Sequence, residues 1–238
     1  MTEIDAGSEQ LPSPVRRYLE IALGSRRQLI KRATLRQTGT IRNDTHSSRW
    51  LDFAATHEVA PIKTEFQWTA RIAVLPLVHI QVRDAYIHGG GTGRVKLMSL
   101  LTLAHKEGGE AMNSGSLHRY LAEAVWYPTA LLPSSGLRWT AIGENKALAT
   151  LTHVNTTVSL EFRFNQNCEV IGIFSPGRWG LFDGGFKQVP WEGHFSDYEF
   201  LGGMLIPRRG EVGWHIDGEW RCVWKGRITD ASYIFSSC

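Results

Sequence analysis

Apolar and polar residues alternate at a spacing of two along most of the chain, the mark of strands with one buried face. In "EFQWTARIAV" (65 to 74), Phe66, Trp68, Ala70, Ile72 and Val74 fall together, with Glu65, Gln67, Thr69 and Arg71 opposite. "TTVSLEFRF" (156 to 164) sets Val158, Leu160, Phe162 and Phe164 against Thr157, Ser159, Glu161 and Arg163. "TLRQTGTIR" (34 to 42), "HIQVRDAYI" (79 to 87) and "EWRCVWKGRI" (219 to 228) follow the same rule, the last grouping Trp220, Cys222, Trp224 and Ile228. Turn-forming "GEN" at 143, "NQN" at 165, "GG" at 202 and "DG" at 217 fit hairpin joints. The pattern predicts an antiparallel meander of about eight to ten strands, and a sheet that large must curl or close.

Two segments depart from alternation. "LPSPVRRYLEIAL" predicts a short helix with Ser13 as N-cap and Pro14 at its first position. "SLHRYLAEAVWYPTALLP" (116 to 133) predicts a helix over 116 to 132, capped by Ser114 or Ser116 and bent or ended by Pro128. The stretch between strands and helix, 89 to 115, reads as flexible at both ends and apolar between. The fold class expected is α+β: a large curved antiparallel sheet, an unclosed β-barrel, wrapping a central helix, with a short N-terminal helix. Residues 1 to 10 are expected as a flexible leader and 11 to 238 as one half-barrel domain.

The central helix is unusual on its second face. Leu117, Leu121, Ala124 and Val125 form an apolar arc at 100° per residue, and Arg119, Glu123 and Trp126 lie across from it. Arginine before glutamate at i, i+4 is the weaker order for helix stability, so surface stabilisation is a poor motive. Two readings stay open: a partly exposed salt bridge with a tryptophan covering the barrel edge, or the polar centre of a cavity. Asp84 shares its strand face with Ile80, Val82 and Tyr86, where a carboxylate needs a partner, and Arg119 is the candidate. Within a cavity Glu123, raised in pKa by burial, could act as an acid or base.

Composition narrows the setting. Hydrophobic residues make up 42% of 238, enough for a substantial core, and a net charge of +3 does not point to nucleic acid. The opening "MTEIDAGSEQ" lacks the basic-then-apolar order of a secretory signal, and the apolar run "VKLMSLLTLA" is too short to span a bilayer. Cys168, Cys222 and Cys238 are widely spaced and do not suggest a disulfide framework. A cytoplasmic location is expected.

Other motifs add little chemistry. "GGGTG" (89 to 93) has neither the GxGxxG register nor GK[ST], so it reads as a flexible turn, with an anion nest beside Arg94 as the lesser alternative. "HFSDY" puts His194 and Tyr198 on one face and Asp197 on the other, a poor metal site. Trp179, Trp191, Trp214, Trp220 and Trp224 crowd the last quarter, which suits core packing or, alternatively, a pocket lining. "LFDGGF" (181 to 186) is a candidate mobile flap at the barrel mouth.

"FQWTAR", "RDAYIHGGGTGRVKL", "RYLAEAVWYPTALLP", "LEFRF" and "VPWEGHFSDYEFLGGMLIPRRGEVGW" together resemble a family of bacterial proteins known as a domain of unknown function, over roughly residues 11 to 230. The strand–helix–strand order is similar to the unclosed barrels of bacterial lipoprotein carriers and related lipid-binding proteins. That likeness implies a curved sheet around a greasy cavity.

The leading expectation is therefore a small hydrophobic or amphipathic ligand held in the sheet's concavity. Trp68, Tyr86, Tyr120, Trp126, Trp191 and Tyr198 are the candidate lining residues. The alternative is a cofactor-independent isomerase, cyclase or hydrolase, with Glu123 or Asp84 moving a proton and Arg119 stabilising negative charge. A third is a partner-binding module that uses a sheet edge. No cofactor, metal, nucleic acid or stable membrane insertion is expected, and the oligomeric state is left open.

Overall fold

Strands form wherever the alternation is clean. The computed structural model describes residues 11–26, 28–42, 44–98, 101–133 and 136–237. The leader expected at 1 to 10, and Cys238, lie outside them. After helix α1 (Ser13–Leu23) come β1 (Ile30–Ile41), β2 (Leu51–Ala60), β3 (Glu65–Leu75), β4 (Val78–Ile87), β5 (Gly90–Leu97) and β6 (Leu101–Glu107). Helix α2 (Glu110–Glu123) then crosses the concavity. It leads to β7 (Leu137–Gly143), β8 (Lys146–His153), β9 (Thr156–Phe164), β10 (Val170–Phe182), β11 (Gly185–Leu201), β12 (Met204–Ile216) and β13 (Glu219–Phe235).

All thirteen strands join one antiparallel sheet, in the order β6-β5-β4-β3-β2-β1-β13-β12-β11-β10-β9-β8-β7. Two meanders meet where β13 returns to pair with β1, Leu35 opposite Ala231. The edges β6 and β7 do not pair with each other among the described residues, so the barrel stays open. Curvature is visible in what α2 touches: β4 and β5 from one flank, β9 and β10 from the other. The rims approach where the Tyr86 hydroxyl meets His153 Nδ1 at 3.1 Å.

The apolar arc Leu117, Leu121, Ala124 and Val125 is fully buried against the sheet, as are Phe66, Trp68, Leu160 and Phe162. Helix α1 closes one end of the bowl through Val15, Tyr18, Leu19 and Ala22, and the Tyr18 hydroxyl donates to the Val125 carbonyl. Glycine lets α2 come close. A Cβ on Gly91 would lie 2.6 Å from both the Met112 carbonyl oxygen and Ser116 Oγ. Only Gly89, with His88, forms the turn, and the rest of the run is a packing strip within β5.

Several local expectations are corrected. Pro12, not Ser13, occupies the N-cap of α1, and its carbonyl accepts from the Arg16 amide. Helix α2 starts at Glu110 behind Gly109, so Ser114 and Ser116 lie inside it and cap nothing. It ends at Glu123, and two short 3-10 turns, Ala124–Trp126 and Pro128–Leu131, complete the segment. A proline lacks the amide to continue an α-helix but suits the first position of a new turn. Within 89 to 115, Gly90–Leu97 and Leu101–Glu107 are strands that pair antiparallel, which raises the strand count among the described residues above the expected range.

Strand β13 also breaks its own rhythm. Trp224 pairs with Val212 and Cys222 with Gly213, leaving Val223 as a bulge. The extra residue turns Trp220 and Cys222 to the opposite face from Trp224 and Ile228. Trp220 packs on His194 outside the bowl, and Trp224 packs on Trp126 inside it. "LFDGGF" forms the end of the β10–β11 ribbon, paired through Phe182 and Gly185 up to a two-residue turn. No helix among the described residues is long and apolar enough to cross a membrane.

Candidate functional site

The second face of α2 is accommodated by the bowl. Period-two spacing in β4 aims Asp84 inward, and one helical turn puts Arg119 and Glu123 side by side above it. The Arg119 guanidinium donates from Nη1 to Asp84 Oδ2 at 3.0 Å and from Nε to Glu123 Oε1 at 2.9 Å. It also stacks on aromatic faces, 4.8 Å from the Trp68 ring centre and 5.4 Å from that of Phe66. Arg119 and Glu123 are 18% and 14% exposed, well short of a solvated surface pair. Asp84 keeps 38% of its side chain accessible, and that surface faces the two cavities it lines.

Burial raises the Glu123 and Asp84 carboxyls above the usual range, and Arg119 pulls both back down. The second Glu123 oxygen has no hydrogen bond and lies 3.5 Å from His57 Nε2. His57 is wholly buried on β2, edge-on to Phe66 and Tyr127, with neither ring nitrogen hydrogen-bonded. Its pKa is held well below the ordinary histidine value by burial and then by the Arg119 charge. Next to it, Gln37 Oε1 accepts from the Trp68 indole at 2.8 Å while its amide nitrogen has no partner.

These groups border two cavities. The inner one, about 260 Å³, is walled by Trp68, Trp126, Trp191, Phe195, Trp214 and Trp224, with Arg119 and Glu123 at one side. The outer one, about 340 Å³, runs along α2 between Gly93, Met112 and Phe186. Asp84, Arg119, Arg178 and Trp214 line both and form the wall between them.

The expected site residues therefore divide. Asp84, Arg119 and Glu123 are brought together, and Trp68, Trp126 and Trp191 face the inner cavity beside them. Tyr86, Tyr120 and Tyr198 sit elsewhere: Tyr86 against His153, Tyr120 on the Pro61 carbonyl, Tyr198 on the Val170 carbonyl. Their hydroxyls serve the core and rims. The pattern alone does not mark His57 or Arg178 as site residues, and it offers Trp214 only among the tryptophans that could line a pocket. A histidine between Ala55 and Val59 on an apolar face was the available signal for the first.

Buried His57 gives a testable pH dependence. The unfolded chain takes up a proton near the ordinary histidine value and the native state does not, so this residue's stabilisation is present above that value and lost as pH falls. Glu123 and Asp84 act in the opposite sense, contributing below the carboxylate range and losing that as pH rises through their raised values. Urea unfolding of the native protein between about pH 6.5 and pH 5 should show a slope that His57→Gln reduces by up to roughly 1.4 kcal/mol per pH unit. An unchanged slope would mean that His57 takes up its proton in the fold as it does in the unfolded chain.

Among solved structures, a DUF1329 family protein from Desulfovibrio piger ATCC 29098 aligns over 98% of this chain and 94% of its own, at 10% identity and a TM-score of 0.52. The fold is shared with it. A LolA superfamily protein from Nitrosomonas europaea aligns over 98% and 96%, at 9% identity and a TM-score of 0.46. No curated protein matches the sequence. A family model, described as a family of unknown function and designated DUF6920, matches residues 9–233, and the chain belongs to that family.

Proposed function

We propose that this protein binds a small amphipathic molecule inside its curved sheet. The apolar part lies among Trp68, Trp126, Trp191 and Trp224, and a polar end meets Arg119 and Glu123. The observation that carries this reading is an indole-walled inner cavity ending on a buried charge cluster. Ligand sites are concave, mostly apolar and furnished with a few convergent polar groups, and this one fits that description. Native mass spectrometry of freshly purified protein is expected to show a non-covalent adduct. A bare mass, with no change in tryptophan emission on titration with decanol or decanoate, would overturn the reading.

A second reading rests on one specific contact. His57 and the free oxygen of Glu123 face each other at 3.5 Å, both buried and neither hydrogen-bonded. Glu123 lines the inner cavity and His57 lies buried behind it, an arrangement that suits cofactor-independent proton transfer between Glu123 and a bound molecule. Glu123→Gln separates the two readings. Binding alone predicts affinity within a few-fold of the native protein, and catalysis predicts that the co-purified molecule persists unconverted only in the variant.

A further inference from the structure

Arg178 differs from Arg119 in having no carboxylate of its own. It follows Pro176 and Gly177 at a register shift in β10, which turns its side chain across the wall between the two cavities. Its guanidinium carbon lies 4.5 Å from the Trp191 ring centre and 5.1 Å from that of Trp214. Nη2 donates to the Gly115 carbonyl at 2.9 Å, and Nε is buried without a hydrogen-bond partner. No carboxylate forms an ion pair with it among the described residues, because Asp84 and Glu123 both engage Arg119. A desolvated cation with an unclaimed donor is costly unless something else supplies the missing acceptor.

The surroundings favour an anion as that acceptor. The outer cavity presents Arg94, Lys106, Arg119 and Arg178 against a single carboxylate, Asp84. The inner cavity, on the other side of Arg178, has five tryptophans in its wall together with the carboxylates of Asp84, Glu123 and Glu211. Building on the ligand reading above, we infer that Arg178 anchors an acidic head group, so that the ligand is an amphipathic acid with its tail in the inner cavity. The guanidinium is matched to carboxylate or phosphate oxygens, which it can grip in pairs. Burial and the neighbouring Arg119 charge lower the Arg178 pKa to about 10, consistent with a cation short of counter-charge.

Tryptophan emission titrated with decanoate, decyl phosphate and decanol tests this. On the native protein the better of the two acids is expected to bind at least ten-fold tighter than decanol, and which acid it is names the head group. Arg178→Met is expected to bring that acid to the affinity that decanol shows for the same variant. Equal binding of acids and alcohol by the native protein, or an unaltered preference in Arg178→Met, overturns the anchor and leaves the cavity reading intact. Binding of none of the three overturns the anchor, and together with a bare mass in native mass spectrometry it overturns the cavity reading as well. Should Arg178→Met fail to fold, Arg178→Lys decides. It keeps the charge but loses the fork, so it must weaken the acid more than the alcohol.

Discussion

Arg119→Met is expected to destabilise the protein by about 3 kcal/mol near neutral pH, because it strands two buried carboxylates at once. The Asp84 and Glu123 contacts at 3.0 and 2.9 Å are both lost, while the methionine retains much of the stem packing over Trp68 and Phe66. The value sits at the lower end for a broken buried pair, since Asp84 is 38% exposed and stays partly hydrated. The pH dependence has a definite sign. Burial already raises Glu123, and removing Arg119 removes the main pull in the other direction. A raised carboxyl contributes stability below its unfolded pKa and loses it as pH rises. The deficit should therefore be larger at about pH 8 than at about pH 5, measured by urea unfolding. Arg119→Met with Glu123→Gln should recover much of it. An equal deficit at both pH values, with no recovery in the double variant, would assign Arg119 a packing role alone.

How far the chain could be read in advance follows from which periodicities were intact. β3 and β9 alternate without interruption, and the buried residues Phe66, Trp68, Ala70 and Ile72, then Val158, Leu160, Phe162 and Phe164, are those the pattern set apart. Strands β5 and β6 are not legible as strands in the sequence because they do not alternate. β5 is glycine-rich where α2 presses on it, and β6 is an edge strand exposed on both faces from Thr102 to Lys106. The bulge at Val223 defeated the facing of Trp220 and Cys222, since one added residue reverses every side chain before it. In the same way Arg178 lies just past a register shift, where no spacing rule says which way it points. Asp84, Arg119 and Glu123 lie on unbroken stretches of strand and helix, and there spacing alone places them on facing surfaces.

Trp126→Ala is expected to cost about 3–5 kcal/mol, the range for deleting a large buried aromatic ring. The indole is 2% exposed and packs edge-on to Phe195 at 5.9 Å and against Trp224 at 6.2 Å. Its N–H donates to the Pro207 carbonyl at 2.9 Å, an acceptor that alanine would leave unpaired. Trp126→Phe keeps most of the apolar contact and loses that bond, so it should cost only about 1–2 kcal/mol. The Tyr233 hydroxyl donates to the Trp126 backbone carbonyl, which survives in both variants, so the 3-10 turn itself is retained. Thermal and urea unfolding of the three proteins checks the order. A loss under about 1 kcal/mol for alanine would mean that the ring is not packed as described. Because Trp126 belongs to the core and to the cavity wall at once, its alanine variant cannot separate binding from folding. The phenylalanine variant can: it keeps the fold while reshaping the wall, and a ligand that lies against this ring must bind it more weakly than the native protein.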